Sequence, residues 1–248
     1  MAAETYSGLK AVWGAMKPDL VTTRLFFDPL AVPLTLLLAR LKVPADAVTL
    51  AALLPGLAAA AYFARGAFAA GAAAYYLFFL LDTVDGKLAR LTGSSGPLGA
   101  FHDFVADRVV IGAMLLGMGW ALARDARWPA FLLIQGCFLL FFLKDVLDLK
   151  WKETGIQALE SSGPSRSGGW TQRWKIHFRP GQLLAGFVLF LVAPLSGALV
   201  PCAVFAIGCL LVSLAHNALI PWLRHLRAGG AAGAGSRPPV TVEKRDPP

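Results

Sequence analysis

Four aspartates stand at fixed spacing in a largely apolar chain: Asp82, Asp85, Asp103 and Asp107, accompanied by Gly86, Ala89, Arg90 and Gly99. On a helix, Asp82, Asp85, Gly86 and Ala89 fall at i, i+3, i+4 and i+7, one stripe of two acids and two small residues. Gly99, Asp103 and Asp107 form a second stripe at i, i+4 and i+8. Between the stripes Thr92, Gly93, Ser94, Ser95, Gly96 and Pro97 have the composition of a turn. Two helices folding back on each other there would bring two carboxylate pairs face to face. Acids at membrane depth are costly and mark function. Four of them together need a cation in their midst. With no thiolate or imidazole pair nearby, oxygen-only ligands favour Mg²⁺ or Mn²⁺, and the number of acids suits two ions. Such an ion pair serves phosphoryl transfer, holding phosphate oxygens and absorbing developing charge. Arg90 would add positive charge toward a phosphate, and so would Lys87 unless it only reaches for the interface.

The elements that must carry these residues are membrane helices. Of 248 residues 56% are hydrophobic and 15% charged, the balance of an integral membrane protein rather than a soluble domain. Uncharged runs cover 47–64, 66–81, 109–123 and 128–143, each extendable to the roughly 20 residues of a span. A longer run, 180–223, contains Pro194, Ser196, Gly197 and Pro201 near its middle and divides into two. The expected fold is therefore all-α and polytopic, with six transmembrane helices. The apolar stretch 29–39 is too short to span, is flanked by Asp28 and Arg40, and holds Pro29 and Pro33. It reads as an N-terminal interfacial amphipathic helix, with Arg24, Arg40 and Lys42 at the headgroups and Phe26, Phe27 and Leu30 entering the acyl boundary. The expected organisation is an N-terminal cytoplasmic arm with this helix over 1–46, a six-helix catalytic domain over 47–226 and a flexible cytoplasmic tail over 227–248. No cleavable signal peptide is expected, because Glu4, Lys10 and Lys17 precede any apolar run.

The basic residues orient the bundle. With both termini cytoplasmic, Lys87, Arg90, Arg108, the loop after the fourth span and the tail from Arg224 face inward, and Arg65, Arg124 and Arg127 face outward. The aspartates then open to the cytoplasm. The net charge of +8 is mostly this topology signal and an attraction to anionic lipid, not a nucleic-acid footprint. Cys137, Cys202 and Cys209 lie in expected spans without CxxC spacing and read as packing residues. His102 points off the acid stripe, which favours packing or a contact behind the ligands over ligation.

The run Asp82-x-x-Asp85-Gly86-x-x-Ala89-Arg90, eight intervening residues, then Gly99-x-x-x-Asp103-x-x-x-Asp107 resembles the signature of the CDP-alcohol phosphotransferases, with every fixed position filled. The resemblance implies a divalent-metal-dependent membrane enzyme of phospholipid biosynthesis. It would take a CDP-linked donor, transfer a substituted phosphoryl group to an acceptor hydroxyl and release CMP. Asp82, Asp85 and Asp103 would be metal ligands, with Asp107 sharing the second ion or acting as the general base. Gly86, Ala89 and Gly99 would let nucleotide and pyrophosphate approach the backbone, and Arg90 would touch the pyrophosphate. Pro44, Asp46 and Thr49 resemble the family's short element before its first span, so Asp46 and Thr49 would join the nucleotide pocket; Asp46 serves equally well as a helix N-cap. The short chain looks more like members that use CDP-diacylglycerol as donor and a small soluble alcohol as acceptor, in the bacterial inner membrane. The resemblance also carries the expectation of a homodimer.

Basic residues near the end of the fourth span would suit an acceptor that bears phosphate, such as inositol phosphate or glycerol phosphate; Lys150, Lys152 and Arg179 are the candidates. Three other readings compete. A CDP-amino-alcohol transferase with diacylglycerol as acceptor would use the same motif residues. An ion transporter also needs intramembrane acids but not this fixed Gly, Ala and Arg spacing. A membrane prenyltransferase would place its acidic motifs far apart in sequence.

Overall fold

In this computed structural model of the chain the described residues are 12, 19–153, 176–177, 182–216 and 223. A π-helical turn, Thr23–Phe27, leads into α1 (Asp28–Arg40). There follow α2 (Ala45–Ala64), α3 (Phe68–Thr92), α4 (Pro97–Arg124) and α5 (Trp128–Glu153). The last two are α6 (Gln182–Ser196) and α7 (Leu199–Leu214). Among the described residues the one extended pairing is β1 (Asp19–Leu20) in parallel with β2 (Ile176–His177).

Local chemistry sets the boundaries that matter for the site. Helix α2 opens after Pro44, whose ψ of 144° is extended and which caps without a side-chain hydrogen bond. Helix α3 stops at Gly93, where φ is +71°. The N–H groups of Gly93 and Ser94 both return to the Ala89 carbonyl, the left-handed ending that glycine makes cheap. Pro97 then occupies the opening of α4 after an extended Gly96, the place where its missing N–H costs nothing. The charged stretch before Val109, which the uncharged runs leave outside a span, is thus the first part of α4.

Among the described residues four helices, α2 to α5, are long and apolar enough to cross a membrane. Six crossings are expected from the sequence. The long apolar run does divide at Gly197, where φ is +69°, but its halves are shorter. Helix α7 is described over 16 residues, Leu199–Leu214, and apart from 215, 216 and 223 the residues beyond it lie outside the described ones.

Helix α2 is the wedge of the bundle, packing more extensively on α3 and α4 than those two pack on each other. Missing Cβ atoms allow this. A side chain at Gly117 would collide with the Ala60 carbonyl, and one at Gly56 with Val110. The main core gathers Phe63, Met114, Leu115, Met118 and Leu122 with Ile134 of α5 and Leu189 and Leu210 of the last helices. Cys137 and Cys209 are buried and all three cysteines are free, as packing residues should be.

Helix α1 covers the stretch expected at the interface, but two of its neighbours differ from the expectation. Phe27, expected in the acyl boundary, is 1% exposed and stacks on Tyr76 with ring centroids 4.9 Å apart. Arg24, expected at the headgroups, pairs with the buried Asp28. Asp28 in turn holds Lys87 of α3, Nζ to Oδ1 2.9 Å, so Lys87 is neither a phosphate ligand nor an interface anchor. The reason is packing: α1 lies along the face of α3 opposite the acids, and a cation buried there must have its counter-ion buried with it. The interfacial placement of Arg40 and Lys42 fits their exposure. The expected flexible tail, 227–248, lies outside the described residues.

Removing Asp28 should therefore be costly. Asp28→Ala leaves Lys87 buried without its carboxylate and should lower stability by about 3–5 kcal/mol. The apolar triple variant Arg24→Met, Asp28→Leu, Lys87→Met should recover most of it. Equilibrium unfolding in mixed micelles reads both; equal losses in the two variants would mean that the charges themselves contribute nothing.

Candidate active site

The two acid stripes meet as their spacing requires. Carboxylate oxygens of Asp82 and Asp85 on α3 and of Asp103 on α4 all lie within 4.8 Å of one another. Asp85 is buried; Asp82 and Asp103 are partly exposed. Asp107 lies one turn beyond Asp103 on α4, and its side chain is 29% exposed. Carboxylates so close in a poorly hydrated bundle repel strongly unless a cation is shared among them. Bonds of about 2.0–2.6 Å to a hard divalent ion can link oxygens at these separations, and the set contains oxygen donors alone. The residues present therefore fit Mg²⁺ or Mn²⁺. Among the described residues this is the one such cluster.

The acids are held from α2. Thr49 Oγ1 donates to Asp85 Oδ2 at 2.6 Å. Thr49 thus acts on a candidate metal ligand directly, a role that its sequence position does not disclose. Asp46 does not cap α2; it is exposed on the first turn, and its carboxylate faces Gly99, where a Cβ would stand 3.7 Å from Asp46 Oδ1. The N-cap alternative is thereby excluded, since the capping position is Pro44.

Beside the acids opens a cleft of roughly 300 Å³ lined by Asp46, Thr49, Asp85, Gly86, Ala89, Arg90, Gly99 and Asp103. A neighbouring hollow of about 330 Å³ shares Ala45, Asp46 and Ser94 and extends toward Lys42 and Thr92. Together they reach the size of a small-molecule site. Small residues keep the space open. A Cβ at Gly86 would meet the Arg90 guanidinium at 3.4 Å, so that guanidinium lies over the glycine and borders the cleft. The structure thus gathers Asp82, Asp85, Gly86, Ala89, Arg90, Gly99, Asp103, Asp107, Asp46 and Thr49 into one region.

Other placements differ from the sequence reading. Ser94, Ser95 and Gly96, which have the composition of a plain turn, form part of the cleft wall; their place between the two acid stripes is the one signal that could have marked them. His102 is exposed near Phe101, with ring centroids 6.3 Å apart, and serves neither packing nor the ligands. Arg108, read as a topology charge, forms an ion pair with Asp145 beside Asp107. Of the acceptor candidates, Lys150 and Lys152 lie on the last turns of α5 with side chains outside the described residues, and Arg179 lies outside them altogether.

Comparisons with known proteins accord with this geometry. A family model described as CDP-alcohol phosphatidyltransferase matches residues 42–223. Phosphatidylinositol phosphate synthase of Mycobacterium tuberculosis is 32% identical over 106 residues, 42% of this chain and 49% of that protein. Archaetidylinositol phosphate synthase of Methanothermobacter thermautotrophicus is 34% identical over 95 residues, 38% of this chain and 45% of that protein. The chain thus spans about half the length, or less, of these curated relatives. A crystal structure of the M. tuberculosis synthase in complex with manganese and citrate superposes with a TM-score of 0.59 at 22% identity, over 78% of this chain and 89% of that one. Another, with CDP-DAG bound, gives 0.51 at 24% identity over 76% and 93%. At these identities the likeness is one of fold.

The Thr49 hydrogen bond makes a prediction about metal affinity. Thr49→Val keeps the shape and removes the donor to Asp85, and a lost supporting contact of this kind costs about 10–100-fold in metal affinity. Mn²⁺ titration followed by electron paramagnetic resonance should show the weaker binding. Unchanged affinity would mean that Asp85 needs no support from α2.

Proposed function

Because this chain belongs to the CDP-alcohol phosphatidyltransferase family, we propose that it transfers the phosphatidyl group of CDP-diacylglycerol to a hydroxyl of a soluble phosphorylated polyol, releasing CMP. The observation that carries the reading is the meeting of Asp82, Asp85 and Asp103 at the edge of a cleft, with Asp107 one turn beyond Asp103. The relatives that are phosphatidylinositol phosphate and archaetidylinositol phosphate synthases support an acceptor of the inositol phosphate class.

In this reading Asp82, Asp85 and Asp103 hold divalent ions, two in number, with Asp107 adjoining the second. Bound Mg²⁺ or Mn²⁺ would neutralise the pyrophosphate and stabilise the charge that collects on departing CMP. The chain's own groups do the rest. Arg90 contacts the pyrophosphate, and Gly86, Ala89 and Gly99 admit it close to the helix backbones. Asp46 and the wall at Ser94 border the nucleotide, and Thr49 fixes the carboxylate of Asp85. Asp107 accepts the proton of the acceptor hydroxyl as that oxygen forms its bond to the β-phosphorus. The bridging P–O bond breaks, and its electron pair leaves with CMP. The diacylglycerol chains stay in the bilayer, entering sideways between helices. The chain makes six crossings of a bacterial inner membrane, with α6 and α7 in the last two. Both termini and the aspartates face the cytoplasm, and Lys150, Lys152 and Arg179 receive the acceptor's phosphate.

Purified protein in lipid nanodiscs, given CDP-diacylglycerol, Mn²⁺ or Mg²⁺ and a pool of polyol phosphates, should yield CMP and one new phospholipid by mass spectrometry. Chelation should abolish both products. Asp107→Asn should lower turnover by about 10²–10⁴-fold while the donor still binds. Turnover with CDP-choline or CDP-ethanolamine and diacylglycerol would reverse the donor assignment, and no CMP from any CDP-linked donor would overturn the reading.

A further inference from the structure

Arg108 follows Asp107 on α4 and is held from three directions. Asp145 of α5 engages two edges of the guanidinium: its Oδ1 accepts from Nη2 at 3.0 Å, and its Oδ2 pairs with Nε. Phe104, one turn earlier, lies against the guanidinium with its ring centroid 4.7 Å from Cζ. The remaining nitrogen, Nη1, is 3.9 Å from Asp107 Oδ2.

Asp145 is fixed in its turn. Gln182, at the start of α6, donates from Nε2 to Asp145 Oδ1 at 2.9 Å and to the Phe141 carbonyl at 3.1 Å. Lys144 Nζ donates to Gln182 Oε1 at 3.4 Å. Lys144 and Asp145 are both buried, at 8% and 7% exposure. A guanidinium is planar and rigid, so with Nη2 hydrogen-bonded to Asp145 and Nε paired with the same carboxylate by charge alone, the direction of Nη1 is set.

We propose that Asp145 is a positioning residue for the transfer reaction. By gripping Nε and Nη2 of Arg108 it aims Nη1 at the Asp107 carboxylate and fixes that carboxylate's orientation, with Gln182 bracing Asp145 from the fifth long apolar segment. The proposal rests on the reading of Asp107 as the acceptor-side base. It concerns geometry: Asp107 sits on α4, but its orientation is referred to α5 and α6, which carry none of the four motif acids. The rival account is that the buried pair only joins α4 to α5. Joining two helices requires the pair in either orientation; aiming a nitrogen at Asp107 requires the arginine on α4.

Three full-length variants in nanodiscs separate the accounts. Asp145→Asn, close in shape, should lower kcat on the order of 100-fold, the scale of a misplaced reacting group, while Mn²⁺ affinity and KM for the CDP-linked donor stay at wild-type values. Arg108→Lys should fall likewise, since one ammonium cannot address Asp145 and Asp107 in fixed directions. The exchange Arg108→Asp with Asp145→Arg should restore thermal stability lost in the single variants but not kcat. Recovery of kcat in the exchange, wild-type turnover in Asp145→Asn, or a fall in Mn²⁺ affinity parallel to kcat would each overturn the proposal. If the exchange does not fold, the split between kcat and donor KM in Asp145→Asn decides. A wild-type protein silent with every CDP-linked donor would remove the reading of Asp107 and the proposal with it, whereas an active wild type with an equally active Asp145→Asn removes the proposal alone.

Discussion

Repulsion among carboxylates sets the terms for the surrounding structure. Asp82, Asp85 and Asp103 bring oxygens within 4.8 Å of one another. Two charges at 4 Å repel by about 1 kcal/mol in bulk water and several-fold more at a protein surface of lower effective dielectric. Among the described residues no ion pair joins a basic side chain to any of the three. Arg90 lies over Gly86 along the cleft, Arg108 stands beside Asp107, and Thr49 supplies Asp85 with a neutral donor. An arginine placed between the acids would neutralise them and occupy the space that divalent ions require. Cations kept at the periphery leave the centre in need of metal.

The bundle is arranged to keep that centre open and its charges sorted. Helix α2 approaches α4 closely because Gly117 and Gly56 carry no Cβ, and it contacts α3 on its other side more than α3 contacts α4. The two acid-bearing helices are therefore held by a common neighbour rather than by each other, and a cleft lies along their junction. Lys87 is two residues beyond Asp85, which on a helix turns it to roughly the opposite face. There Asp28 neutralises it. One face of α3 thus carries anions that await a cation, and the other carries a cation already matched. Without Asp28, the nearest relief for Lys87 would be the acids on its own helix.

What could be read from the sequence follows from what a helical period contains. Spacing fixes which residues share a stripe, so the alignment of Asp82 with Asp85 and of Asp103 with Asp107 was legible, as were the turn at Gly93 to Pro97 and the division near Gly197. Period does not fix which way one helix faces another. Thr49 and Asp85 are 36 residues apart, Arg108 and Asp145 are 37 apart, and Asp28 meets Lys87 across two helices; nothing in their local patterns joins them. Charges near span ends also satisfy the positive-inside rule wherever they point, so Arg24, Lys87 and Arg108 looked like topology signals while being committed to buried pairs. Span number is less legible for a related reason: an apolar run shows that a segment avoids water, whereas a crossing also needs sufficient helical length, which the described residues show for four helices.

The two arginines flanking the acids differ in a way that matches what each side of the reaction must handle. Arg90 borders the cleft with the metal-type aspartates at its edge. Arg108 is bound by Asp145 through two nitrogens and by Phe104 across its face, so most of its charge is already answered. What it still offers toward Asp107 is direction rather than net attraction. In the proposed reaction a pyrophosphate brings several negative charges to the cleft, where positive charge is useful. The attacking group on the other side is a neutral hydroxyl that must lose a proton along one line, and an unanswered cation beside Asp107 would compete for the very carboxylate that has to accept it. An arginine already occupied by a buried carboxylate can orient Asp107 without claiming it.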